Sequence, residues 1–368
     1  MNNELPNWIA IAHLPRWGFG KINELIITFY HTNKISIIDF FNLDDNIWRN
    51  EYSLGDKEVF DLQTAKSELA SHTFIVESML DQGYEFLPIT SPEYSKTLKN
   101  NLKVQHSPAL LYVKGNKNIL QEQSIAIVGS RDAKKISLDF TDNIAKLASE
   151  QFKVVVSGFA KGVDKQALDS AINYKGQSII VLPQGIMTFA SGFKKYYKQI
   201  IDGDVLVLST FPPKVTWSAG LAMARNPIIY GLASEIYVAE SSDKGGTWSG
   251  VIDGLRKNRT IFVRKPDFGE ANANELLIAK GAKPVDFFGN VIDTNTESKA
   301  SEPEISLEDK IINLLKQGEF TLKEMIEKLR INIDEKKLKE KLSQIPNIIK
   351  LNKKPLKFKY DEAVIGMF

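Results

Sequence analysis

Ile125-Ala126-Ile127-Val128-Gly129-Ser130-Arg131 and Val154-Val155-Val156-Ser157-Gly158-Phe159-Ala160-Lys161-Gly162-Val163-Asp164 are two short β-branched runs that each stop in small residues and a cation. One helix's worth of sequence separates them. Apolar strands without alternation, joined by helical segments, belong to a parallel sheet covered on both faces. At the carboxyl ends of neighbouring strands in such a sheet, glycine lets the backbone approach a ligand, and helix N-termini present free N–H groups to an anion. The pattern predicts a phosphate-binding crevice. Its phosphates belong to a nucleotide, a cofactor or a polynucleotide.

The same rhythm continues outward. Apolar strands are predicted at 125–128, 154–156, 179–182, 205–208, 236–238 and 261–263, with helical stretches between most of them. Ser137 is the candidate N-cap of one helix, on which Phe140, Ile144, Leu147 and Ala148 share a face; Asp164 is the candidate cap of the next, with Ala167, Leu168 and Ala171 inside. The fold expected is α/β and Rossmann-like. Two extended segments flanked by proline and glycine, 84–88 and 108–115, lead into it.

Residues 1–90 carry apolar positions at mixed three and four spacing over 7–12, 18–32, 35–41 and 62–82, which predicts a small helical domain. Its first connection, Leu14-Pro15-Arg16-Trp17-Gly18-Phe19-Gly20, is either a helix-hairpin-helix turn that meets a DNA phosphate or an ordinary tight turn with Trp17 and Phe19 in the core. Residues 288–304 turn polar and rich in serine and threonine, marking a linker. Beyond it, 305–317, 321–329 and 335–345 read as amphipathic helices, and 347–351 with 356–360 as a hairpin. The organisation expected is a helical SAM-like domain at 1–90, an extended Rossmann-like domain at 91–287, the linker, and a winged-helix-like domain at 305–368.

Composition bounds the function. A chain of 368 residues, 43% hydrophobic, holds two or three domains. Its net charge of +2 is the difference between 47 basic and 45 acidic residues, so any nucleic-acid site is a local patch. Cysteine is absent, which excludes disulfides, thiolate metal sites and a cysteine nucleophile. His13, His31, His72 and His106 all precede the glycine loops without metal-ligand spacing. With no basic, apolar start and no run near the ~20 apolar residues needed to cross a bilayer, a soluble cytoplasmic protein is expected.

The stretches 126–131 and 157–164, together with Ala224-Arg225-Asn226-Pro227-Ile228-Ile229-Tyr230-Gly231-Leu232-Ala233, resemble the DNA-processing protein A family, also called DprA or Smf. The lead-in Pro108-Ala109-Leu110-Leu111-Tyr112-Val113-Lys114-Gly115 resembles the family's approach to the sheet, and the resemblance covers about 84 to 265. It implies a single-stranded DNA-binding protein that helps load a RecA-type recombinase during DNA uptake, recombination or repair, through a Rossmann-like domain that forms a homodimer. Two departures mark a divergent member: Pro227 stands where the family commonly has a second arginine, and Gly245-Gly246-Thr247-Trp248 replaces a Ser-Gly-Ser type of loop.

The candidate phosphate or DNA contacts are Gly129, Ser130, Arg131, Ser157, Gly158, Lys161, Gly162, Arg225, Asn226, Gly246 and Thr247. Arg131 follows a strand-end glycine, where a guanidinium grips a phosphate through two parallel bonds or pairs with Asp132 or Asp164. Lys161 sits inside the second glycine loop, while Gly158 and Gly162 serve the turn itself. Arg225 and Asn226 follow the helical stretch 219–224 and either read DNA or cap a helix end. Trp248 either stacks on a base or packs in the core. The lysine-rich run 350–360 is a solvated wing or a binding one.

The leading expectation is a sequence-tolerant binder of single-stranded DNA with no catalytic residues, cofactor or metal. The rival is a nucleotide sensor or a phosphoribohydrolase-like enzyme in the same crevice. Gly245-Gly246-Thr247-Trp248-Ser249-Gly250 echoes the hydrolase loop but lacks its inserted glycine, and Asp253 is the only nearby downstream carboxylate. Glu240, at a strand end, either orients a ribose or binds backbone. An interaction scaffold with a vestigial crevice is the third reading.

Overall fold

The computed structural model describes residues 2–292, 307–329, 331, 333–345, 347–351 and 355–360. It falls into two compact units, one formed by Met1–Arg264 with Ala273–Val291 and one carrying the C-terminal elements.

In the first unit nine strands make one sheet: β1 (Glu85–Pro88), β2 (Leu110–Lys114), β3 (Ser124–Val128), β4 (Val154–Ser157), β5 (Ser178–Val181), β6 (Val205–Ser209), β7 (Glu235–Val238), β8 (Thr260–Arg264) and β9 (Lys283–Val285). Their spatial order is β1-β2-β6-β5-β4-β3-β7-β8-β9. β2 pairs antiparallel with both β1 and β6, and every other pair is parallel. The six strands expected from sequence are all present. The chain lays β3 to β6 down in one direction and returns to place β7 on the other side of β3. Ligand crevices of open parallel sheets lie beyond the strand carboxyl ends at such a reversal.

Fourteen helices accompany the sheet among the described residues of this unit: α1 (Leu5–Ala12), α2 (Phe19–Ile26), α3 (Ile37–Asn42), α4 (Asp45–Asn50), α5 (Asp56–Ser67), α6 (Leu69–Asp81), α7 (Lys96–His106), α8 (Lys135–Glu150), α9 (Val163–Asn173), α10 (Ala190–Lys195), α11 (Tyr197–Asp202), α12 (Ala219–Leu232), α13 (Gly245–Arg256) and α14 (Asn274–Ala279). Ile125, Ile127 and Val155 pack with Phe140 and Ile144 of α8 and Ala167 and Ala171 of α9. Ala126, Val128, Val154 and Val156 pack in another cluster, with Ile228, Ile229 and Leu232 of α12 and Val251 of α13. Burial on both faces is why these strands read as unbroken apolar runs.

The helical segment expected at 1–90 lies within this unit, and its Trp8, Phe29, Phe40 and Trp48 share one core with Tyr112, Ile180, Val205 and Val207 of the sheet. His13 Nε2 lies 2.8 Å from the Tyr112 hydroxyl. Burial, with a smaller contribution from His72, lowers the His13 pKa to about 4. The helical stretch expected over 62–82 is divided between α5 and α6, which meet at Glu68.

The second unit contains α15 (Leu307–Lys316), α16 (Leu322–Leu329), α17 (Glu335–Leu342) and an antiparallel hairpin of β10 (Ile348–Leu351) and β11 (Lys357–Tyr360). Ile311, Leu315, Met325, Leu338 and Phe358 form its core. Most of the expected linker, from residue 293 onward, lies outside the described residues, as do 352–354 of the lysine-rich run.

Candidate nucleic-acid interface

The loop after β3 is anchored from β7. Ser130 N–H donates to the Glu240 carbonyl at 2.9 Å, and the Glu240 carboxylate accepts from Lys134 N–H at 3.1 Å and the Ser137 hydroxyl at 2.7 Å. Ser137 is therefore not the N-cap of α8. The helix begins one residue after Lys134, which provides no side-chain cap, and Glu240 supplies the missing acceptor from the neighbouring strand. This commits Glu240 to the backbone rather than to a ribose.

The loop after β4 closes against the first one, with Val163 N–H donating to the Ser130 carbonyl at 3.2 Å. Gly162 permits the approach: its φ is +85°, and a Cβ there would fall 2.3 Å from the Ser130 oxygen and 2.5 Å from the Arg131 oxygen. Asp164 does not cap α9 as expected. Gly162 occupies the N-cap position, and the Asp164 carboxylate faces back toward the N–H groups of Gly158 and Ala160. Burial raises the Asp164 pKa, against the opposing pull of Arg225, Arg131 and those two amides. The Gly158 amide that the sequence offered to a phosphate thus faces the chain's own carboxylate. Ser157 is corrected as well: it is fully buried and donates to the Ile127 carbonyl at 2.7 Å, pinning β4 to β3.

Arg225 and Asn226 lie inside a helix rather than after one. α12 runs through Pro227, which has no N–H to give the Met223 carbonyl. Arg225 is only 4% exposed; its Nη1 donates to the Val181 carbonyl at 3.0 Å and stands 4.0 Å from Asp164 Oδ2. The guanidinium lies over Gly158, where a Cβ would fall 1.5 Å from Nη1, and Nε has no partner. Burial lowers the Arg225 pKa, yet a guanidinium stays charged in proteins. Asn226 Nδ2 donates to the Gly246 carbonyl at 3.5 Å, and the Tyr230 hydroxyl to the Thr247 carbonyl at 3.5 Å, tying α12 to the first turn of α13. Lys244 gives that turn no side-chain cap, so its leading N–H groups have neither an intrahelical acceptor nor a capping side chain and carry the positive end of the helix dipole.

These pieces enclose a cavity of about 400 Å³ lined by Gly129, Ser130 and Arg131 after β3, Ala160 and Asp164 after β4, Arg225, Asn226 and Tyr230 of α12, and Lys244, Gly246 and Thr247 after β7. Its place is the strand-order reversal between β3 and β7. Arg131 is exposed, and among the described residues its side chain makes no hydrogen bond or ion pair. Lys161 lies outside this cavity, in an open groove that shares Arg131. Its Nζ stands 2.9 Å from Asp132 and, through that bond and its charge, holds the carboxyl below its ordinary range. An exposed pair of this kind exchanges readily for another anion.

Trp248 packs half-buried against the sheet core and does not line the cavity, so the structure gives no support to base stacking there. Asp253 pairs with Lys257 at 2.8 Å, also away from it. Sequence reasoning missed Tyr230 and Lys244 as cavity residues, although one sits in the 224–233 motif and the other directly precedes a glycine pair. Among the described residues no three His, Asp or Glu side chains gather to hold a metal ion, and no helix is long and apolar enough to cross a membrane.

Comparison with known proteins places the chain in a family. Residues 85–295 match the family model described as DNA recombination-mediator protein A. DNA processing protein DprA of Streptococcus pneumoniae is 31% identical over 185 residues, which is 50% of this chain and 65% of that relative's length. The Bacillus subtilis protein of the same name is 27% identical over 221 residues, 57% of this chain and 71% of the relative. The solved Streptococcus pneumoniae structure superposes with a TM-score of 0.56 at 22% identity, covering 82% of this chain and 99% of that one, and shares the fold. With its match to the family model spanning more than half of its residues, the chain belongs to the DNA recombination-mediator protein A family.

Proposed function

We propose that this protein binds single-stranded DNA in the crevice between the β3 and β7 loops, without sequence preference, and passes it to a RecA-type recombinase. The observation that carries the reading is the placement of Arg131, whose side chain makes no hydrogen bond or ion pair among the described residues, beside the first turn of α13 at the strand-order reversal. A polynucleotide backbone asks only for cations and N–H donors of this kind. In this reading Gly129, Ser130, Arg131, Gly246 and Thr247 touch phosphate, Lys161 exchanges Asp132 for a neighbouring phosphate, and Arg225, Asn226, Gly158 and Gly162 shape the floor. The protein acts in the cytoplasm as a homodimer, with the N-terminal helices as a SAM-like domain and the C-terminal unit as a winged helix.

The phosphoribohydrolase alternative needs a positioned carboxylate or imidazole in the cavity. Of the two carboxylates lining the cavity, Asp164 faces Arg225 and Asp132 is paired with Lys161; Glu240 nearby is held by Lys134 and Ser137, and none of the residues lining the cavity is a histidine. Fluorescence anisotropy of a labelled oligothymidylate, titrated at several salt concentrations, tests the reading. Binding that weakens steeply with salt and survives excess mononucleotide is expected. Absence of binding, or displacement by micromolar nucleotide, would transfer the crevice to a nucleotide ligand.

A further inference from the structure

A buried carboxylate in the wall of a phosphate crevice calls for a reason. Asp164 is 8% exposed, lines the cavity, faces the Gly158 and Ala160 amides and stands 4.0 Å from Arg225. Three cationic side chains line the same cavity, Arg131, Arg225 and Lys244, against two acidic ones, Asp132 and Asp164. The lining thus carries one net positive charge. Asp132 is engaged by Lys161 at the rim, and Asp164 offsets Arg225 at the floor. That leaves Arg131, beside the solvated Lys244, as the guanidinium with no hydrogen bond or ion pair of its own among the described residues, its charge felt only at longer range by Asp132 and Asp164.

Resting on the single-stranded DNA reading above, we propose that Asp164 makes the crevice selective for the singly charged phosphodiester of a polynucleotide over the doubly charged terminal phosphate of a nucleotide. A phosphodiester brings one negative charge, which Arg131 and the α13 N–H groups can meet. A terminal phosphate is close to doubly charged above its second pKa of about 6. Its extra charge would sit beside a floor carboxylate that is itself buried, where the repulsion is screened less than in bulk water. Asp164 thereby lets the crevice ignore cellular nucleotides without reading any base. The same carboxylate fixes the Gly158–Ala160 turn and aims Arg225, so the selectivity device is also part of the framework.

The test uses a ligand pair that differs by one charge: thymidine 5′-monophosphate and its methyl phosphodiester. Each competes at pH 8 against labelled oligothymidylate on the full chain and on Asp164→Asn, which keeps one acceptor oxygen for the loop. The native protein is expected to bind the methyl ester several-fold more tightly than the monophosphate. Asp164→Asn is expected to shift that ratio by about tenfold toward the monophosphate, the scale set by removing one unit charge from a partly wetted cavity. A native protein that prefers the monophosphate, or equal ratios in a folded variant, would overturn the proposal while leaving DNA binding intact. Failure to bind oligothymidylate at all would overturn both. If Asp164→Asn unfolds, Asp164→Ser, which keeps an acceptor oxygen without the charge, reads the shift in its place, and a native preference for the monophosphate still overturns the proposal.

Discussion

Replacing Gly162 by alanine tests the loop-on-loop contact that builds the crevice. The backbone there has φ 85° and ψ −131°, a region that side-chain-bearing residues rarely enter, at about 1–2 kcal/mol for the strain alone. The added Cβ would also lie 2.3 Å and 2.5 Å from two backbone oxygens, of Ser130 and Arg131, which no rotamer change can move. The loops must separate, and the Val163-to-Ser130 hydrogen bond goes with them, at about 1 kcal/mol more. The total is about 3 kcal/mol, read as a lower urea midpoint. Gly281→Ala is the control: its φ is +104°, but nothing lies within 4 Å of the added carbon, so it carries the strain without the collision. Oligothymidylate affinity should fall at least about tenfold for Gly162→Ala, because the Arg131 backbone is displaced, and stay level for Gly281→Ala. Equal behaviour of the two variants in both assays would refute the claim that the loop contact positions Arg131.

Arg131→Ala should weaken oligothymidylate binding by about 10–100-fold, the worth of a charge-assisted pair, with an unchanged unfolding midpoint; unaltered affinity would remove Arg131 from the interface. Lys161→Ala should lower the slope of log affinity against log salt by about one and do no more, measured by the same titration across salt concentrations. Trp248→Ala should cost about 2 kcal/mol of stability, since the ring is half-buried in the sheet core, while leaving DNA affinity within about twofold. A large loss of affinity with native stability would return Trp248 to a stacking role. His13 takes its proton less readily when folded, its pKa falling from 6.5 to about 4, so the unfolded chain binds the proton first as pH drops. Stability should therefore decline from about pH 6.5 to pH 4 by about 3 kcal/mol, and denaturant melts of His13→Gln should lose that part of the slope.

The sheet was legible because its strands are buried on both faces: 125–128 and 154–156 are unbroken apolar runs in the sequence and lie at the sheet centre in the structure. β9 escaped notice, being three residues long with Pro284 in the middle. The helical stretch expected at 219–224 runs on further than expected, through Pro227. A proline usually ends a helix, but α12 absorbs it by giving up one hydrogen bond and continues to Leu232. In the crevice, Gly162 was legible as a turn glycine, because a positive φ is a property of the residue itself. Which acid meets which cation depends on loops distant in sequence. Lys161 found Asp132, Arg225 found Asp164 and Ser137 found Glu240, and no local pattern encodes those pairings. Asp164 was misassigned for the same reason: an acid in the first turn of a helix looks like a cap until the loop behind it is seen to fold back onto it.

The central claim is that single-stranded DNA lies in the cavity between the β3 and β7 loops. Photocrosslinking of an oligonucleotide carrying 5-iodouracil, followed by mass spectrometry of the attached peptides, tests it most directly. Met223 and Tyr230 line the cavity and are suitable acceptors. The account predicts adducts on peptides spanning 129–134, 219–232 and 244–248, lost in Arg131→Ala. Adducts confined to the N-terminal helices or the C-terminal unit, with none around the crevice, would contradict it.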